Sequence, residues 1–242
     1  MSALLPLPDS FASTRASVHA VAEHVLAAAR HAATGRIGLV SSPGGVATPP
    51  FPVAGVGERR LEVDGDRLVR LDDGARAAVG LSTLRAAADL AGIEPGGPAS
   101  VYHLTTPCEP DAALVVDPAG SRALGAWFTF AAAALSALVD AVDRTLDSPS
   151  PVQLWPEHFD LATDLGPDGA RANYGASPGD DVVDEPYLYV GPWQEVREDP
   201  FWNATSFTGA TLRYSELRRA ADAAERAVSF LRRGRELLGG AP

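Results

Sequence analysis

Hydrophobic spacing along the chain predicts three long helical segments and a short one. In ASVHAVAEHVLAAARHAA the apolar residues Val18, Val21 and Val25 recur at intervals of three and four, as on one face of a helix. Gly35 follows this segment and is typical of a helix end. Similar patterns predict helices over about 118–145 and 214–238, and a short helix in TLRAAADLAG, capped by Ser82.

The segments between these helices alternate between apolar and polar residues, as strands do. RRLEVDG and DRLVRLDDG meet at Asp64-Gly65, a pair that favours a tight hairpin turn. ARANYGAS, EPYLYVGPW and VQLWPEHFDLATDLG predict further strands. Strands and helices do not alternate in βαβ units, so the sheet should be mostly antiparallel.

The order of these elements predicts an α+β protein. We expect one domain over residues 1–242, with a mostly antiparallel sheet packed by two long helices and a short one. A pseudo-two-fold repeat with halves 1–95 and 96–242 is an alternative, suggested by SPG triplets at 42–44 and 177–179.

Composition restricts the classes of partner. The chain has 242 residues, with 31 acidic and 20 basic side chains and a formal net charge of −11. A negative surface repels nucleic acid and anionic membranes, so neither is expected as a partner. Cys108 is the sole cysteine and excludes an internal disulfide, and the N-terminal segment lacks a signal-peptide pattern, which predicts a cytoplasmic protein.

One uncharged segment, ALGAWFTFAAAALSALV at 123–139, is apolar enough to suggest a membrane span. It is rich in alanine, and its bulky residues recur at helical spacing. A stripe of this kind faces a protein core, so we predict a buried helix rather than a membrane-spanning one.

The stretch VQLWPEHFDLATDLG carries the strongest candidate for catalysis. Strand alternation would place His158 and Asp160 on one face and Glu157 on the other. Such a pair could be a base and the group that orients it, or two ligands of a divalent metal ion. The alternative is structural, with Asp160 accepting backbone donors, while Phe159 and Leu161 are expected in the core in either case. Asp160 is the stronger candidate of the two.

Two further groups of polar residues bear on a metal site. Asp180 begins an acidic loop, DDVVDE, and is a third candidate ligand for a hard cation such as calcium or magnesium. In the first helix, His19, Glu23 and His24 lie away from the apolar stripe, and we interpret them as a solvated polar flank. The sequence identifies no cofactor.

Aromatic residues near the predicted C-terminal strands are candidates for ligand binding. Tyr187 and Tyr189 lie in one strand, Trp193 follows it, and Trp155 lies in the stretch described above. Aromatic side chains at loops and strand ends line many ligand pockets. They can equally hold a long loop against the sheet.

Short motifs spread over most of the chain resemble a family of uncharacterised bacterial proteins catalogued as a domain of unknown function. The motifs are TPCE at 106–109, WF at 127–128, SPV at 150–152, FDLA at 159–162, and TPPFP at 48–52 before the DGDRLVRLDDG hairpin. The sequence departs from the family pattern at Glu157-His158. The resemblance implies a similar fold and supplies no activity or functional residue.

These observations leave three functional hypotheses. The leading one is a protein that binds a small molecule or a peptide near His158, Asp160, Tyr187, Tyr189 and Trp193. The first alternative is a divalent-metal-dependent hydrolase that uses His158 and Asp160. The second is an accessory module that binds a protein partner through the aromatic loop at 199–203. The oligomeric state does not follow from the sequence.

Overall fold

The computed structural model describes residues 4–239 and contains helices and antiparallel strands, which confirms the α+β class. The helices are α1 Phe11–Val21, α2 Ala28–Thr34, α3 Leu84–Ala91, α4 Pro118–Val139, α5 Arg144–Asp147, α6 Tyr214–Arg219 and α7 Ala223–Leu237, with a π-helical segment, Ala22–Ala27, joining α1 to α2. The strands are β1 Val40–Ser42, β2 Gly45–Ala47, β3 Phe51–Val53, β4 Gly57–Asp64, β5 Arg67–Asp72, β6 Ala75–Gly80, β7 Gln153–Trp155, β8 Asp160–Leu165, β9 Ala172–Ser177, β10 Tyr187–Pro192 and β11 Ala210–Arg213.

The chain divides into two compact units. The N-terminal unit comprises Leu7–Thr129 and Leu154–Phe159. The C-terminal unit comprises Phe130–Gln153, together with the described residues from Asp160 onward and those up to Pro6. This division differs from the halves 1–95 and 96–242 considered from the sequence, and the two-fold repeat stays a prediction.

The sheet of the N-terminal unit has the strand order β1-β2-β4-β5-β6, with β3 paired to β4, and its pairs are antiparallel. The predicted hairpin is confirmed, because Val63 pairs with Leu68 across a turn at Gly65. Gly65 has a φ of 66°, a conformation that glycine adopts at little cost.

The sheet of the C-terminal unit has the order β11-β10-β9-β8, and its strands are also antiparallel. One face is apolar and buried, as shown by Leu161, Tyr174, Leu188, Val190 and Leu212. Helix α7 lies against β10 on this face. A Cβ at Gly234 of α7 would lie 2.8 Å from Val190, so glycine permits the close approach.

Two segments that were each predicted as one helix are divided into two helices. The helix expected over 214–238 is divided into α6 and α7, because the carboxylate of Asp222 accepts hydrogen bonds from the backbone N–H groups of Ala224 and Glu225 and starts a new helix. Likewise α4 ends at Val139, and Asp143 caps the separate helix α5. The short helix α3 is capped by Thr83, not Ser82.

Helix α4 is long and apolar enough, by length and composition, to cross a membrane. In its most apolar window 56% of the residues are buried within the protein. The bulky side chains Leu124, Trp127, Phe128, Leu135 and Leu138 are fully buried, which confirms the predicted core stripe. The helix therefore has the burial of a core helix in a soluble protein.

Candidate functional site

The C-terminal sheet has a second face that carries polar and aromatic side chains. Side chains alternate along a strand, and the pairing of Tyr187 with Ser177 and of Tyr189 with Gly175 places these residues on one side. We call this side the polar face; its polar and aromatic residues on β8 to β10 and directly beside them are Asp160, Asp164, Arg171, Asn173, Ser177, Tyr187, Tyr189 and Trp193.

Two tyrosine–aspartate pairs occupy one end of the polar face. The hydroxyl of Tyr189 donates a short hydrogen bond to Oδ2 of Asp160. The hydroxyl of Tyr187 donates to Oδ2 of Asp180 at 2.6 Å. Gly175 makes room for the first pair, because a Cβ at this position would lie 2.4 Å from the Tyr189 ring.

The tyrosines of these pairs keep their protons in the folded protein. Burial raises the pKa of Tyr189 well above its usual value, and the carboxylate of Asp160 raises it further. Burial and the hydrogen bond to Asp180 likewise raise the pKa of Tyr187. Each hydroxyl is therefore committed as a donor to its aspartate, and that of Tyr187 also accepts a hydrogen bond from the side chain of Ser177.

Trp193 forms the other end of the polar face and is exposed yet held in place. Its side chain is 61% exposed, and its indole Nε1–H donates to Oδ1 of Asn173 at 3.0 Å. The guanidinium of Arg171 lies 5.4 Å from the centre of the Trp193 ring and is itself bound by the carboxylate of Asp164. The indole ring is thus fixed in orientation while much of its surface faces solvent.

The space between the two ends is open. Gly191 lies between Tyr189 and Trp193 on the same side of β10, and an added Cβ would meet no heavy atom within 4 Å. Phe207 lies against the Tyr189 ring in an edge-to-face arrangement, with centroids 6.2 Å apart. The polar face therefore has two aromatic borders and an unfilled strip between them.

The predicted site residues are partly brought together. Asp160, Tyr187 and Tyr189 meet on the polar face, and Trp193 lies on the same side of β10. The prediction that His158 and Asp160 share one face of a strand is wrong, because β7 ends at Trp155 and residues 156–159 form a turn. His158 is exposed in this turn, whereas Asp160 is 6% exposed in β8.

The burial of Phe159 and Leu161 confirms the prediction that both belong to the core. Phe159 occupies the left-handed region with a φ of 51°, which is uncommon for a residue with a large side chain. This conformation is part of the turn that separates β7 from β8. Trp155, the remaining predicted ligand-binding residue, is half-buried in β7.

The acidic loop at 180–185 is organised by its own backbone. Oδ1 of Asp180 accepts the N–H groups of Val182 and Val183, both at 2.7 Å, while Oδ2 binds Tyr187. Within residues 4–239, no three His, Cys, Asp or Glu side chains come together in a group that could hold a metal ion. The metal-dependent hydrolase therefore gains no support from the arrangement of His158, Asp160 and Asp180.

Several residues of the polar face were not identified from the sequence. Asn173, Gly175 and Ser177 occupy alternate positions of one strand, so the alternation of ARANYGAS contained this signal. Arg171 could not be found in this way, because its role depends on the position of Trp193 across the strand pair.

A second polar cluster lies in the N-terminal unit and overturns one prediction. Glu23 and His24 were interpreted as a solvated flank, yet both are 0% exposed. The carboxylate of Glu23 accepts the backbone N–H groups of Thr105 and Thr106, at 3.1 and 2.7 Å. His24 accepts the N–H of Gly97 at Nδ1, and its Nε2 lies 3.0 Å from the carbonyl oxygen of Thr106.

These bonds fasten the loop around residues 97–106 onto the π-helical segment. The Nε2 atom of His24 faces both the carbonyl oxygen and the hydroxyl of Thr106 at 3.0 Å. The groups of Glu23 and His24 are thus occupied by the backbone of the loop. We interpret the cluster as structural.

Comparisons with protein families, with curated proteins and with solved structures found no match to this chain. The resemblance to a bacterial family of unknown function stays a prediction.

Proposed function

We propose that this protein binds a small, ring-containing molecule rich in hydrogen-bond donors on the polar face of the C-terminal sheet. The observation that carries the proposal is the exposed but immobilised indole of Trp193 on the same face as the Tyr189–Asp160 pair. A large aromatic side chain exposed to water yet fixed by neighbours offers a flat apolar surface that loses little entropy when a ligand covers it.

The polar groups around this surface define what the ligand must supply. Both tyrosine hydroxyls already donate to aspartates, so neither offers a ligand a donor, and the phenolic oxygen of Tyr189 is an acceptor. A ligand with hydroxyl or amine groups would donate to this end of the face. Its ring would occupy the open strip at Gly191 and lie against Trp193. Cyclic polyols and cyclic amines have both properties.

A thermal-melt screen of cyclic polyols and cyclic amines tests the proposal. We expect members of these classes to raise the melting temperature of the wild-type protein, because a ligand that binds only the folded state stabilises it. Trp193→Ala should abolish this rise. The unliganded variant should melt close to the wild type, since the side chain is 61% exposed.

Val115→Ala is a matched control, because it also shortens an exposed apolar side chain, 59% exposed, in the N-terminal unit. It should retain the full response to ligand. If no compound of either class shifts the melting of the wild type, or if Trp193→Ala responds like the wild type, the proposed site is wrong.

A further inference from the structure

A groove outside the polar face combines positive charge with an aromatic floor. It lies along α7 in the C-terminal unit and has a volume of about 520 Å³. We call it the arginine groove; its lining residues are Phe201, Arg226, Ser229, Phe230, Arg232, Arg233 and Glu236. The volume is in the range of small-molecule sites, which span roughly 300–1,000 Å³.

The helix itself places the polar residues around the groove. Ser229, Phe230 and Arg233 follow Arg226 at separations of three, four and seven, so the four residues share one face of α7. Arg232 and Glu236 flank this face. Phe230 is 7% exposed, so its ring belongs to the floor while the guanidinium groups reach outward.

The opposite wall is held in a defined position. Phe201 packs against Phe230 with ring centroids 5.1 Å apart and an interplanar angle of 34°. The carboxylate of Asp199 accepts the backbone N–H of Phe201 at 2.8 Å, which fixes the turn that carries the ring. Asp199 also lies 3.8 Å from the guanidinium of Arg233, so this turn is connected to the helix.

Within residues 4–239, two of the three arginines that line the groove form no ion pair. Arg233 lies beside Asp199 and Glu236. Arg226 and Arg232 form no ion pair with the carboxylates of the described chain, although acidic residues outnumber basic ones by 31 to 20 overall. Neither side chain therefore serves the folded structure by charge pairing, and both remain able to bind an anion.

We infer that the arginine groove binds a small aromatic oxyanion, such as an aromatic carboxylate or an aromatic phosphate monoester. The guanidinium groups of Arg226 and Arg232 present paired N–H donors that match a carboxylate or phosphate. The Phe201 and Phe230 rings provide the surface for the aromatic part. The net charge of −11 makes a polyanion such as nucleic acid a poor occupant, whereas a small anion meets mainly the local field.

Titration calorimetry with phenyl phosphate at low ionic strength tests this inference. The wild-type protein should bind phenyl phosphate more tightly than inorganic phosphate, because only the former covers the aromatic floor. The double variant Arg226→Gln/Arg232→Gln should weaken binding of phenyl phosphate by about tenfold or more, since each lost charge-assisted hydrogen bond is worth roughly that factor.

Arg218→Gln/Arg219→Gln is the matched control, because it removes the same charge from exposed positions of α6. It should bind phenyl phosphate like the wild type, as should Trp193→Ala, whose side chain belongs to the polar face. The inference is overturned if phenyl phosphate does not bind, if inorganic phosphate binds equally well, or if both double variants weaken binding to the same degree.

Discussion

The surroundings of His19 make the stability of the folded protein depend on pH. Its ring is stacked on Phe159, with centroids 4.7 Å apart and planes at 8°, and its Nε2 lies 2.9 Å from the carbonyl oxygen of Pro156. Burial lowers the pKa of His19 below 6.5, and this effect outweighs the opposing influence of Glu23. The folded protein therefore disfavours a proton that the unfolded chain accepts.

This difference predicts a loss of stability in acid. Below a pH of about 6.5 the unfolded state binds a proton at His19 before the folded state does, so the free energy of unfolding should fall as the pH is lowered. The contribution of one such group is at most about 1.4 kcal/mol per pH unit. Urea unfolding across a pH series should show a shallower decline for His19→Gln than for the wild type.

His158→Gln, which removes an exposed histidine of the neighbouring turn, is the control for this experiment and should follow the wild-type curve. A decline in the His19→Gln protein as steep as that of the wild type would show that other groups cause the acid sensitivity.

At the scale of single residues, the sequence predicted which side chains share a face wherever those residues belong to one continuous strand. Tyr187 and Tyr189 share a face because they belong to one uninterrupted strand. The prediction failed for His158, because the chain turns between Trp155 and Asp160. It failed for Glu23, because helical spacing gives the face of a residue but not whether a loop more than 80 residues away covers it.

Among the elements, α4 packs tightly against the turn between β1 and β2 at Gly125. A Cβ added to Gly125 would lie 2.5 Å from the carbonyl oxygen of Ser42 and 2.6 Å from that of Pro43. These are backbone atoms, which cannot rotate away as a side chain would. Glycine at this position therefore sets the distance between helix and hairpin.

Gly125→Ala should destabilise the protein by about 1–3 kcal/mol, the usual range for overpacking. The higher helix propensity of alanine offsets part of this, by roughly 1 kcal/mol at most. The free energy of unfolding from chemical denaturation measures the effect. Gly80→Ala is a useful comparison, because a Cβ there meets nothing within 4 Å and should cost far less. Equal effects of the two substitutions would contradict the packing described for α4.

The elements themselves were predictable to the extent that their signals are local. The β4–β5 hairpin followed from Asp64-Gly65 and the alternation on either side. The breaks after Val139 and Arg219 did not follow from hydrophobic periodicity, which continues across them. Asp143 and Asp222 contained the relevant signal, because aspartate at these positions caps the helix that follows.

On the scale of the whole molecule, the α+β class followed from the order of helical and alternating segments. The number of sheets did not, because the same strand patterns are compatible with one sheet or two, and long-range pairing decides between them. The strongly acidic composition gives the protein a negative net charge, and the arginine groove is a local cluster of positive charge. Neither the polar face nor the arginine groove could be predicted as a site from the sequence, because each is formed by segments that lie far apart along the chain.

The central claim is that the polar face of the C-terminal sheet binds a small donor-rich ring compound, and an NMR titration tests it most directly. The chain has four tryptophans, so the indole N–H of Trp193 gives one of four distinct signals, assigned by its absence in Trp193→Phe. We expect a compound from the thermal screen to shift this signal together with the amide signal of Gly191, in proportion to occupancy. A compound that stabilises the protein while leaving both signals unchanged would contradict the claim.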